Sequence, residues 1–149
     1  MSLEAKLMTD LKTAMKAKDQ AATRTIRAIK AAIMLIKTDG SGTELDAAGE
    51  IKLIQKQLKQ RQDSLDIFKK QDRPDLALIE EEEIAVLQRY LPKQMSAEEL
   101  ESLLKGIIEQ TGASGMKDMG KVMGMASAKI AGAADGKTVS AAVKKLLMG

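Results

Sequence analysis

The sequence predicts an all-α fold, a four-helix bundle over residues 1–92 followed by a three-helix bundle over residues 96–149. Apolar residues recur at three- and four-residue spacing almost from end to end, which is helical periodicity. Cap and turn residues interrupt that period at intervals of one helix length. No stretch alternates as a strand would, and no internal repeat or low-complexity tract is present. A chain of 149 residues has room for one domain or two small helical bundles of this kind.

In the first helix Leu3, Leu7, Leu11 and Ala14 recur at one-turn spacing, and Asp19 separates it from the second as a cap. The second carries Ile26, Ile29, Ile33 and Ile36 on one stripe, with Arg24, Arg27 and Lys30 beside it, and Gly40-Ser41-Gly42 ends it in a mobile loop. A third runs from about Leu45 to Gln71, turning Ile51, Ile54, Leu58, Leu65 and Phe68 inward. Pro74 suits the first turn of the fourth, where a missing N–H costs nothing. That helix uses Leu76, Ile79, Ile84, Leu87 and Leu91 until Pro92 stops it.

Residues Pro92 to Gln94 form the natural joint. Ser96 with Glu99 makes a capping box for helix five, and Gly112 closes it. Helix six covers roughly Lys117 to Ala131, with Gly132 after its end. Helix seven starts near Asp135-Gly136 and carries Val139, Val143, Leu146 and Leu147.

Composition narrows the chemistry. The chain has no Cys and no His, so disulfides, thiolate and imidazole metal ligands and the usual nucleophile–base pairs are excluded together. No cofactor is expected, and the chain alone is not expected to be catalytic. Nothing resembles a signal peptide, and apolar runs stop at about five residues where a spanning helix needs about 20. The expectation is a cytoplasmic protein. One Phe, one Tyr and no Trp exclude readers that stack single-stranded bases on aromatic platforms. Any RNA would be gripped by phosphate and shape.

The net charge of +3 hides a pattern: +5 over residues 1–37, −6 over 38–111 and +4 over 112–149. Basic ends flank an acidic middle, a distribution that steers an anion toward some surfaces and away from others. Lys117, Lys121, Lys129, Lys137 and Lys144 supply the positive charge of the last segment. Lys117 and Lys121 share a helical face, and Lys137 sits at the amino end of helix seven, where free N–H groups favour anions.

Gly120 and Gly124 lie one turn apart in helix six, each costing about 1 kcal/mol relative to Ala. Close approach of another helix, or of a phosphate or ribose to bare backbone, would each account for them. Lys117, Gly120, Lys121, Gly124, Lys129, Gly136 and Lys137 are the candidate nucleic-acid-binding residues. Met116, Met119 and Met123 fit a core stripe, with a partner groove as the alternative. Glu80 to Glu83 turn by about 100° per residue and cannot converge on one metal; two or three should face water near the positive end of helix four. Arg24, Arg27 and Lys30, with Lys56, Lys59, Arg61 and Ser64 on helix three, have salt bridges to that acidic helix as their plain reading.

Several blocks of this sequence resemble the GatB/YqeY family, in particular its stand-alone YqeY-type members. They are Asp10-Leu11-Lys12, Ala14-Met15-Lys16-Ala17-Lys18-Asp19, Arg27, Ala31-Ala32-Ile33, Lys59-Gln60-Arg61, Ser64, Asp75-Leu76-Ala77 and Tyr90-Leu91-Pro92. The most specific are Met116-Lys117-Asp118-Met119-Gly120-Lys121-Val122-Met123 and Ala134-Asp135-Gly136-Lys137. The family includes the tail of the B subunit of the glutamine-dependent aspartyl/glutamyl-tRNA amidotransferase. There the segment similar to Gly120 through Gly132 belongs to a helical domain that helps hold tRNA. The resemblance implies bundles of four and three helices and a tRNA partner, with amidotransferase or aminoacyl-tRNA synthetase subunits as further candidates. It also carries a label, carbon–nitrogen ligase with glutamine as amido-N-donor, that fits the larger subunit whose catalytic part has no counterpart in these 149 residues. Ala133 departs from the family pattern, which often has a basic residue before Ala-Asp-Gly.

Overall fold

Four of the helices begin on a side chain that satisfies a free first-turn N–H. Ser2 Oγ accepts from Ala5 N at 3.2 Å, Asp19 Oδ1 from Ala22 N at 3.0 Å, Asp46 Oδ1 from Gly49 N at 2.7 Å and Ser96 Oγ from Glu99 N at 3.1 Å. Each such cap is worth about 1 kcal/mol. In this computed structural model, which describes residues 2–40 and 44–148, the helices they open are α1 (Leu3–Lys16), α2 (Gln20–Thr38), α3 (Ala47–Lys70) and α5 (Ala97–Thr111). α4 (Pro74–Gln88) starts on its proline instead. A 3-10 turn, Met116–Asp118, leads into α6 (Met119–Ile130), and α7 (Gly136–Met148) follows. No strand occurs among the described residues.

The chain divides into two compact units, Met1–Leu91 and Pro92–Gly149. In the first, α1 to α4 enclose a core of Leu7, Ile26, Ile29, Ile33, Ile54 and Leu87, all essentially without solvent exposure. Burying an aliphatic side chain of this size contributes about 1.5–3 kcal/mol. In the second, α5, α6 and α7 close on Leu104, Ile107, Val122, Ala126 and Val143. Met95 N donates to Ala133 O at 2.8 Å, and Gln94 Nε2 to Gly132 O at 3.0 Å. These bonds tie the start of this unit to the turn between α6 and α7.

Several boundaries differ from expectation. α3 begins at Ala47 because Asp46 is its cap, and Leu45 packs on the core from outside the helix. α2 ends at Thr38, and Gly40 takes a left-handed φ of 81°; Ser41 and Gly42 lie outside the described residues. α4 stops at Gln88, three residues before the expected Leu91. Tyr90 N and Leu91 N then bond to Leu87 O and Gln88 O in tighter turns, consistent with the bar a following proline sets to helix. α6 closes at Ile130 through Ala131, which adopts the left-handed φ of 46° usually left to glycine.

The larger correction concerns α4. Ile79, expected inside, is 42 % exposed, and Glu80 lies inside at 7 %. Nor do the four glutamates sit near the amino end of the helix, where Asp75 is the first-turn acid. A chain of ion pairs makes this arrangement possible. Arg24 of α2 binds Glu82 Oε2 through Nη2 at 2.7 Å and Glu83 Oε1 through Nε at 3.2 Å. Arg61 of α3 faces Glu83 Oε2 at 3.3 Å and Glu80 Oε1 at 3.5 Å. Two guanidiniums, from α2 and α3, thus hold three carboxylates of α4, leaving Glu80 Oε2 buried without a donor. Among these glutamates Glu81 alone is exposed. The salt-bridge reading therefore holds for Arg24 and Arg61. Arg27, Lys30, Lys56 and Lys59 form no ion pair among the described residues.

Candidate nucleic-acid interface

The outward face of α6 follows from its inward one. Val122, Ala126 and Ile130 recur at four-residue spacing and are buried, with Met119, Met123 and Met125 packed partly beneath them. Opposite that stripe lie Gly120, Lys121, Gly124, Ser127 and Ala128, while Lys129 flanks the stripe one turn from Ala126; all six are exposed. Lys117, in the preceding 3-10 turn, continues the row. The result is a strip of backbone with no bulky side chain and no acid, edged by ammonium groups.

Both glycines are open to solvent. A Cβ built at Gly120, Gly124 or Gly136 would meet nothing within 4 Å. Close packing against another helix of the described residues is thereby removed as the explanation of Gly120 and Gly124. Neither has a positive φ, so no backbone requirement excludes alanine there. Their cost to the helix is uncompensated within the described structure.

Charge is segregated within this unit. Glu98, Glu99, Glu101 and Glu109 all lie on α5, and Lys105 pairs with Glu101 at 3.1 Å on the same helix. Lys117, Lys121, Lys129, Lys137, Lys144 and Lys145 are exposed and form no ion pair among the described residues. The one acid at the entrance to α6 is Asp118. It makes no cap bond to that helix, and its carboxylate accepts from Ser114 N at 3.0 Å. Gly136 and Lys137 form the exposed first turn of α7. Lys117, Gly120, Lys121 and Gly124 share one face of the α6 segment. Lys129 lies near its other end, and Gly136 and Lys137 belong to the next helix.

The methionines divide. Met119 and Met123 pack against the core as expected, whereas Met116 is 43 % exposed because the 3-10 turn takes it off the α6 stripe. A partner groove built from all three is not formed. Ala133 packs against the unit's core, and both its backbone groups are engaged, its N–H with Ile130 O and its carbonyl with Met95 N. No group of three or more His, Cys, Asp or Glu among the described residues is placed to hold a metal ion.

Sequence reasoning missed one polar link in the first unit. Tyr90 OH donates to Asp10 Oδ2 at 2.6 Å, and Lys6 Nζ lies 5.2 Å from the centre of the same ring. Burial first, and then the Asp10 bond, push the Tyr90 hydroxyl above the ordinary tyrosine range. Both residues stand in the blocks on which the family resemblance rests, but 80 positions separate them and no periodicity joins them.

No helix among the described residues is long and apolar enough to cross a membrane. Residues 4–147 match the family model described as Yqey-like protein. The chain is also similar to proteins named "Altered inheritance of mitochondria protein 41, mitochondrial". The Pyrenophora tritici-repentis protein is 33% identical over 145 residues, which are 95% of this chain and 79% of that protein. The Lachancea thermotolerans protein is 39% identical over 97 residues, 65% of this chain and 52% of that one. For Meyerozyma guilliermondii the figures are 34% over 122 residues, 80% of this chain and 64% of its relative. The chain thus spans between about half and four fifths of these relatives' lengths, and their names assign those proteins to mitochondria. A match that begins at residue 4 and ends at 147 covers all the helices described above except the end residues Leu3 and Met148; the chain belongs to the YqeY-like protein family.

Proposed function

We propose that this protein is a non-catalytic RNA-binding module, with tRNA as its polynucleotide and the α6 face as its docking strip. The observation that carries the reading is the pairing of unshielded backbone at Gly120 and Gly124 with unpaired lysines at 117, 121 and 129. A phosphodiester can approach a helix more closely where no Cβ intervenes, and ammonium groups at the margin neutralise it. Lys137, in the exposed first turn of α7, supplies a further cation at the positive end of that helix. The tRNA class is suggested by the resemblance of residues 120–132 to the amidotransferase tail.

The test is a tRNA titration with the whole chain over a series of salt concentrations. Affinity should fall with salt, and replacing Lys117, Lys121, Lys129 and Lys137 by Gln should flatten the log–log slope by roughly one unit per lost phosphate contact. No binding at either low or moderate salt ends the proposal. Recovery of a partner that survives nuclease would replace it with a protein–protein adaptor, docking on amidotransferase or synthetase subunits.

A further inference from the structure

A second set of cations gathers in the amino-terminal unit, at the turn from α1 to α2. Lys18, Gln20, Thr23, Arg24 and Arg27 line an open cleft there, with Met15 as its apolar wall. Arg24 and Arg27 stand three residues apart on one helical face, where two like charges repel unless something neutralises them. Of these two arginines only Arg24 has carboxylate partners, Glu82 through Nη2 and Glu83, shared with Arg61, through Nε. Those bonds fix its guanidinium in place and leave Nη1 with no acceptor among the described residues. Arg27 and Lys18 have no carboxylate partner among the described residues.

The Asp19 carboxylate is already engaged, accepting from Ala22 N at 3.0 Å, and the Thr23 hydroxyl donates to Asp19 O at 2.7 Å. The cleft therefore offers a fixed guanidinium edge, a second guanidinium, an ammonium and the Gln20 amide. That is a donor set for a tetrahedral oxyanion: several N–H groups, positive charge and no competing free acid.

We propose that this cleft takes a backbone phosphate of the bound polynucleotide, giving the amino-terminal unit a phosphate contact of its own. The inference rests on the RNA-binding reading above and adds a residue set that reading does not contain.

Lys18 permits a test with a built-in folding control. Its φ is 57°, a left-handed conformation that glycine adopts without strain. Lys18→Gly should remove the ammonium while leaving thermal stability unchanged or higher, and Arg27→Gln removes an exposed charge with no ion pair to break. In whole-chain tRNA titrations each variant should flatten the log–log salt slope by about 0.7–0.9 unit, and the pair by about twice that. Folded variants with the parental slope overturn the cleft while leaving the α6 strip standing, provided replacement of Lys117, Lys121, Lys129 and Lys137 by Gln still flattens it. A parental chain that binds no tRNA at any salt removes both proposals together.

Discussion

Replacing Gly120 and Gly124 by alanine separates what these residues do for the fold from what they do for a ligand. Glycine in a helix interior is about 0.8–1.0 kcal/mol less favourable than alanine. At Gly124, five residues into α6, the full amount applies; at Gly120, in the first turn, about half is reasonable. Nothing lies within 4 Å of either added methyl, and neither residue needs a positive φ, so no clash or strain offsets the gain. The double variant should therefore be more stable by about 1.5 kcal/mol. For a cooperative transition of a chain this size, about 2–4 °C per kcal/mol gives a rise of roughly 3–6 °C.

The same two methyls should weaken tRNA binding. Each pushes a phosphate or ribose away from the helix by about the length of a C–C bond, enough to lose a charge-assisted hydrogen bond worth about 1.5–3 kcal/mol. At about 1.4 kcal/mol per factor of ten, affinity should drop at least tenfold. No charge is removed, so the salt slope should not change, in contrast to the lysine variants. Thermal unfolding, amide exchange across α6 and the tRNA titration together read the outcome. A stabilised protein that binds tRNA as tightly as the parent would refute the docking-strip argument. A destabilised one would refute the reading of these glycines as structurally idle.

Gly112→Ala should act with the opposite sign to Gly124→Ala: its φ of 67° is left-handed at the end of α5, and alanine there should cost about 1 kcal/mol by thermal unfolding. Arg61→Leu strands Glu80 in a largely buried setting, leaves Glu83 to Arg24 alone and should cost about 2–3 kcal/mol, allowing for the one-third exposure of the arginine side chain. Glu80→Gln, which removes the surplus negative charge, should stay within about 1 kcal/mol of the parent in the same denaturation assay. Tyr90 keeps its proton to higher pH in the folded chain than in the unfolded one, where a tyrosine titrates near 10. Its contribution is whole below about pH 10 and is lost as pH rises beyond that. Stability of Tyr90→Phe measured from pH 8 to 11 should consequently fall less steeply than that of the parent.

The helices were legible because each carries a local signal. Asp19, Ser96, Gly112 and Pro74 mark ends by backbone chemistry alone, and Ile26, Ile29 and Ile33 mark a buried stripe by spacing alone. Glu80 was not legible, since a carboxylate enters a core only if a partner from another helix neutralises it, and Arg61 is 19 positions away on α3. Met116 was misplaced for a smaller reason: the 3-10 turn winds more tightly than an α-helix, so an i, i+3 count starting there drifts off the stripe. For Gly120 and Gly124 the sequence posed a choice between two neighbours, and empty space around both positions decided against the helix.

That last result changes what the block charges mean. The −6 of residues 38–111 suggests a field that would repel a polyanion. Yet Glu80, Glu82 and Glu83 are bound by Arg24 and Arg61 inside the first unit, so part of that negative charge never reaches solvent unpaired. In the second unit the glutamates all lie on α5, Asp118 and Asp135 are the acids outside it, and every lysine of residues 116–148 remains exposed and unpaired among the described residues. An internal network thus withdraws acid from one unit's surface while the other keeps its cations free. A protein whose lysines served only solubility would gain nothing from leaving its helix backbone bare between them. Alanine at Gly120 and Gly124 would raise stability at no cost to solubility, and under the proposed docking of a polynucleotide the bare backbone beside Lys117 and Lys121 is where an anion would approach most closely.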